Sequence, residues 1–93
     1  GLHVAAVDLS SAYAVICLTG PAAEATLAKG CSLDLERLGR DAAWPTKLGP
    51  FAVILHALPA ADGYDLFVAR SYAWSLWHWL EDAGAEYGVA RLP

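Results

Sequence analysis

Tyr64-Asp65-Leu66-Phe67-Val68-Ala69-Arg70-Ser71-Tyr72-Ala73-Trp74-Ser75-Leu76-Trp77-His78-Trp79-Leu80-Glu81-Asp82-Ala83-Gly84-Ala85-Glu86-Tyr87-Gly88 changes its hydrophobic period part-way along. From Tyr64 to Ala69 apolar and polar positions alternate at the start, as in a strand. From Ser71 onward the apolar residues recur at helical spacing. At about 100° per residue, Ala73, Leu76, Trp77, Leu80, Ala83, Gly84 and Tyr87 share one face. Ser71 is placed to cap this helix and Gly88 to end it. A strand running straight into an aromatic-rich helix predicts a sheet with a helix laid back on it. Trp74 falls off the core face, near His78 and Glu81. Tyr72 and Trp79 fall on the opposite shoulder. Tryptophan is a favoured interface anchor, so these off-face rings mark a candidate contact surface.

Upstream, residues 4–8 read as a short strand and Asp8-Leu9-Ser10-Ser11 as a turn. Residues 13–18 form a continuous apolar strand. Thr19-Gly20-Pro21 opens a helix that Gly30 closes. Leu33, Leu35 and Leu38 form an amphipathic link. Residues 43–48 are a candidate strand that Pro45 pushes to a sheet edge. Gly49-Pro50 is a turn, residues 51–58 are a second continuous apolar strand, and residues 89–92 can add a short edge strand. The order is β-β-α-β-β-β-α. It predicts an α+β fold: a two-layer antiparallel sheet with two helices on one face, in a single domain over residues 1–93.

An antiparallel sheet with one wet face alternates apolar and polar residues. Neither Tyr13-Ala14-Val15-Ile16-Cys17-Leu18 nor Phe51-Ala52-Val53-Ile54-Leu55-His56-Ala57-Leu58 does so, His56 excepted. Two helices cover one face only, so the other needs a partner. Trp74, Trp79, Tyr72, His78, Phe51, Val53 and Leu55 are the interface candidates. An uncovered patch this apolar exceeds the few hundred Å² usual for a monomer, and the isolated chain is expected to form a two-fold homodimer.

Composition agrees. Of the 93 residues, 57% are apolar and only 17% charged, against the usual ~45–50% and ~25%. A domain of this size cannot bury that much apolar surface alone. The net charge is −4, with six scattered Lys and Arg. No basic stripe is available for phosphates, which argues against nucleic acid or an anionic membrane surface as partner. No apolar run approaches the ~20 residues of a membrane helix, and no signal peptide is visible. Cys17 and Cys31 make no disulfide scaffold. Cys17 reads as a buried small hydrophobe, and both are expected as free thiols.

Sites of chemistry are sparse. His3, His56 and His78 lie far apart in sequence, with no metal-ligand spacing. No serine sits in a Gly-x-Ser-x-Gly elbow, and the carboxylates form no evident pair. No Gly-x-Gly-x-x-Gly or Walker loop supports flavin, NAD or ATP binding by this chain. Neither a catalytic nor a metal site is expected. No cofactor is expected to bind to the chain alone.

Several segments, taken in order, resemble the gamma subunit of heterotetrameric sarcosine oxidase. They are Asp8-Leu9-Ser10, Leu18-Thr19-Gly20-Pro21-Ala22-Ala23, Leu27-Ala28-Lys29-Gly30-Cys31-Ser32-Leu33-Asp34-Leu35, Tyr64-Asp65-Leu66-Phe67-Val68-Ala69-Arg70-Ser71 and Leu76-Trp77-His78-Trp79-Leu80. The resemblance implies a bacterial, cytoplasmic complex that oxidises sarcosine. Alpha and beta subunits would be partners, with FAD, FMN, NAD and a tetrahydrofolate site elsewhere in the complex. It also implies a ferredoxin-like fold similar to the first domain of folate-dependent aminomethyltransferases, the T-protein of glycine cleavage. Those enzymes carry an Asp after a Gly-rich hairpin. The matching hairpin here, Leu48-Gly49-Pro50-Phe51-Ala52-Val53, has no carboxylate, so the resemblance does not extend to folate catalysis. The implied role is a non-catalytic subunit that positions the catalytic ones. The alternatives are a stand-alone folate or small-ligand domain, anchored near Ser10, Arg70 or His56, and a homodimeric interaction domain.

Overall fold

The computed structural model describes residues 2–8, 12–31, 41–58 and 63–91. In chain order the elements are β1 (Leu2–Asp8), β2 (Tyr13–Thr19), α1 (Ala23–Ala28), β3 (Ala43–Leu48), β4 (Phe51–Ala57), β5 (Tyr64–Ala69), α2 (Arg70–Gly84), a 3₁₀ turn over Ala85–Tyr87, and β6 (Val89–Arg91). Among the described residues the strands form one sheet in the order β3-β4-β5-β2-β1-β6. The first five pair antiparallel and β6 joins β1 in parallel. The α+β architecture read from the sequence is the one observed.

The β3–β4 hairpin closes through Gly49 and Pro50, with Leu48 opposite Phe51. Gly49 has φ +58° and is followed by a residue whose ring fixes φ negative, the type II′ pattern that suits the twist of a hairpin. Pro45 lies in β3, which is an edge strand; a central strand would have wasted a ladder donor there. β5 occupies the expected six residues. The link at Leu33, Leu35 and Leu38, and the turn at Ser10 and Ser11, lie outside the described residues.

α2 begins two residues earlier than its sequence signals. Ala69, with extended backbone, is its N-cap, and no side chain caps it. Ser71 lies inside the first turn. The β5 backbone turns directly into the helix, and the Arg70 amide donates to the Ala12 carbonyl (2.8 Å), fixing that corner without a serine. At the far end Gly88, φ +78°, turns the chain into β6, and the Leu2 amide donates to the Gly88 carbonyl (2.9 Å).

The core lies between the sheet and the helices. Leu2, Val4, Ile16, Leu18, Leu55 and Leu66 rise from the strands to meet Leu27 of α1 and Leu76 and Leu80 of α2. Each fully buried leucine of this set contributes about 1.5–3 kcal/mol relative to exposure. Thr26 is the buried polar residue of α1, and its hydroxyl donates to the Ala22 carbonyl (2.8 Å), so no polar group is left unpaired there. Lys29, at the end of α1, donates to the Ala83 carbonyl, pairs with Glu86, and stands 4.9 Å from the Tyr87 ring centre. Opposite charge and a bonded lysine hold the Glu86 carboxyl below its ordinary range.

Candidate interaction surfaces

Strand register decides which apolar residues face the helices. Val53 pairs with Val68 and Leu55 with Leu66, and all four are buried under α1 and α2. Ile54 pairs with Phe67, and Phe67 with Val15; by strand alternation these three point the other way. Val53 and Leu55, expected at an interface, are therefore core residues, 4% and 0% exposed. Phe51 is partly buried against the same core. The residues that β4 offers outward are Ala52, Ile54 and His56.

The outward face bears a shallow concavity of about 770 Å³, lined by Tyr13, Pro45, Ile54, Phe67, Ala52 and Ala69 together with Thr46 and Val53. Tyr13 is 55% exposed and Ile54 46%, so the described chain leaves this half of the sheet bare. Val15, on the same face, is buried. The bare apolar ground is therefore the β3–β4–β5 half and the Tyr13 end of β2.

The next row on this face is polar. His56 pairs in register with Asp65, and Asp65 with Cys17. The His56 Nε2 lies 2.9 Å from an Asp41 carboxylate oxygen. Cys17 is half-buried rather than fully buried, and the Asp65 carboxylate is its hydrogen-bond partner. Loss of water, then this bond and the charge of Asp65, push the thiol up to about 11. Cys17 is thus a poor nucleophile at neutral pH. Cys31 packs on the helix side of the sheet, with Sγ 3.9 Å from the Thr46 hydroxyl. The two cysteines lie on opposite faces and both are free thiols.

Further exposed rings stand on the two outer shoulders of α2. Trp74 is 71% exposed and Tyr72 59%. The Trp74 and His78 rings meet edge to face at 4.6 Å, and His78 Nδ1 is 3.6 Å from a Glu81 oxygen. This i to i+4 ring contact and i to i+3 pair follow from helical spacing. Trp79 belongs elsewhere: its indole lies over the backbone at Gly30 and Gly49 and is partly buried against the core. A methyl group on Gly49 would come within 2.8 Å of Trp79 Nε1, and one on Gly30 within 2.5 Å of its ring carbons. Trp79 joins the end of α1, the β3–β4 hairpin and α2, and is a structural residue.

Among the described residues no three His, Cys, Asp or Glu side chains gather to hold a metal. His3, His56 and His78 sit on β1, β4 and α2, each exposed or half-exposed. The strand–turn–helix junction at Gly20 and Pro21 leads into a six-residue helix with no side-chain cap, which is not the glycine-rich cradle that a dinucleotide requires. Among the described residues no helix is long and apolar enough to cross a membrane. Sequence reasoning missed Tyr13, Pro45 and Ile54 as surface residues, and Trp44, an exposed ring on the edge strand.

Comparison with known proteins places this geometry. No family model matches the chain. Among curated proteins it is 33% identical over 84 residues to an aminomethyltransferase of Saccharopolyspora erythraea, covering 88% of this chain and 23% of that protein. Among solved structures it superposes with TM-score 0.80 and 31% identity on a chain of the heterotetrameric sarcosine oxidase from Corynebacterium sp. U-96 in complex with pyrrole 2-carboxylate, covering 94% of this chain and 45% of that one. The chain spans less than half the length of either relative. By fold it is a neighbour of heterotetrameric sarcosine oxidase, and by sequence it is similar to an aminomethyltransferase, the pairing that its motifs imply.

Proposed function

We propose that the chain is a non-catalytic, gamma-type subunit of a bacterial, cytoplasmic complex resembling sarcosine oxidase. The complex would oxidise sarcosine or a related secondary amine and pass on the one-carbon unit in folate-linked form. The observation that carries this reading is the superposition on a chain of a heterotetrameric sarcosine oxidase along 94% of the sequence. The surfaces support it. The exposed rings of Trp74 and Tyr72, on opposite shoulders of α2, are the kind of aromatic side chains that anchor protein partners. The concavity on the sheet is apolar, with no charged side chain among the described residues that line it. A pterin or a glutamate tail needs such anchors, and this favours a protein-facing role over the stand-alone folate domain. On this reading alpha and beta subunits hold the FAD, FMN, NAD and tetrahydrofolate that the resemblance implies.

The test is co-expression with flavoprotein and folate-domain subunits of a sarcosine-oxidase-like complex from the same host. The expected result is a stable complex that contains this chain in fixed ratio and shows flavin absorbance. A catalytically complete complex that assembles and turns over equally well without the chain would overturn the reading.

A further inference from the structure

The outward face of the sheet is arranged in rows. Its open central row is Pro45–Ile54–Phe67, each pair directly in register, and Val15 beyond Phe67 is already buried. One pleat away on one side lie Lys47 opposite Ala52, and Tyr13 opposite Ala69. One pleat away on the other side lie Ala43, His56, Asp65 and Cys17, with the Asp41 carboxylate bonded to His56. An apolar middle is thus flanked by a cation on one side and by carboxylates on the other. Lys47 is exposed and has no ion-pair partner among the described residues.

We infer that a second copy of this chain covers this face in the isolated protein, related by a two-fold axis that runs across the strands along the Ile54–Phe67 row. An isologous contact places the same patch on both copies. This axis lays the apolar row on its own counterpart and exchanges the two flanking rows. Lys47 of each copy then stands over the Ala43 position of the other, beside its Asp41 and His56, and symmetry makes the contact twice. An axis running along the strands would set Lys47 over a row with no carboxylate. Charge complementarity therefore selects the cross-strand axis.

The size of the patch sets the strength of the dimer. The bare strands β3, β4 and β5 with the Tyr13 end of β2, at ~4.8 Å per strand and about five residues at ~3.4 Å, give a footprint of about 16 by 17 Å, so a face-to-face pair buries on the order of 500 Å² in all. Stable interfaces bury about 1,200–2,000 Å². The dimer is therefore weak, rapidly exchanging and dependent on concentration and salt. The inference concerns the chain alone and is independent of its membership of any complex.

Sedimentation velocity of the purified chain over a wide concentration range, at low and high salt, tests it. The expected result is a reversible monomer–dimer shift that weakens with salt. Ile54→Lys, at an exposed position outside the core, should abolish the dimer while circular dichroism stays unchanged. Lys47→Glu should weaken association about tenfold and remove its salt dependence. A strict monomer at every concentration would overturn the inference. So would a dimer indifferent to Ile54→Lys. A dimer lost with Ile54→Lys but untouched by Lys47→Glu would overturn the two-fold arrangement.

Discussion

Replacing Gly49 by alanine isolates the seat of Trp79. Two separate costs apply. Gly49 has φ +58°, a left-handed conformation that costs a residue with a Cβ about 1–2 kcal/mol. The added methyl also meets Trp79 Nε1 at 2.8 Å and Cε2 at 3.1 Å, an overpacked contact worth typically ~1–3 kcal/mol. Gly49→Ala should therefore lose about 2–5 kcal/mol. Trp79→Ala should cost about 3 kcal/mol, the low end for a tryptophan because the ring is only partly buried. The three atoms nearest the methyl all belong to the indole, so the Trp79→Ala background removes its closest contacts. Gly49→Ala should then cost only its backbone share, and the two substitutions should couple by about 1–3 kcal/mol. Urea unfolding of the four proteins, with constant m values, measures this. An equal cost for Gly49→Ala in both backgrounds would refute the claim that the indole packs on the hairpin.

Two further outcomes follow from the surfaces. The Cys17 thiol, raised to about 11 by burial and Asp65, should alkylate far more slowly than Cys31 at pH 8; Asp65→Asn should speed it, and equal rates would contradict the contact. Because the folded pKa lies above the unfolded value of ~8.5, the stability this thiol contributes is complete below that pH and lost as pH rises toward 11, which a pH series of urea midpoints would show. Trp74→Ala and Tyr72→Ala, at exposed positions, should shift stability by less than about 0.5 kcal/mol yet weaken assembly with partner subunits in a titration; loss of folding instead would mean that the rings support the core.

Much of the fold was legible because its signals are local. The period change near Ala69, the Gly49-Pro50 turn and Pro45 in β3 each act within a few residues, and each led to the observed element. The outward face of the sheet was less legible. The run from Phe51 to Ala57 is apolar at almost every position, so alternation could not tell Val53 and Leu55 from Ala52 and Ile54. Pairing with β5 decided between them, and register is a property of two strands. Trp79 was misassigned for a related reason: its seat is formed by Gly30 and Gly49, distant along the chain and brought together only by the fold. Trp74 and Tyr72 were readable because a helix sets its exposed face by spacing alone.

The most direct test of the proposed role is affinity isolation of the chain from its native host. Flavin absorbance and subunit identity would be measured on the eluate, beside the purified chain alone. The account predicts that the chain alone is colourless, and that the isolated assembly is yellow and contains flavoprotein and folate-domain subunits in fixed ratio with it. Stoichiometric flavin on the chain by itself, or a colourless eluate without those subunits, would contradict it.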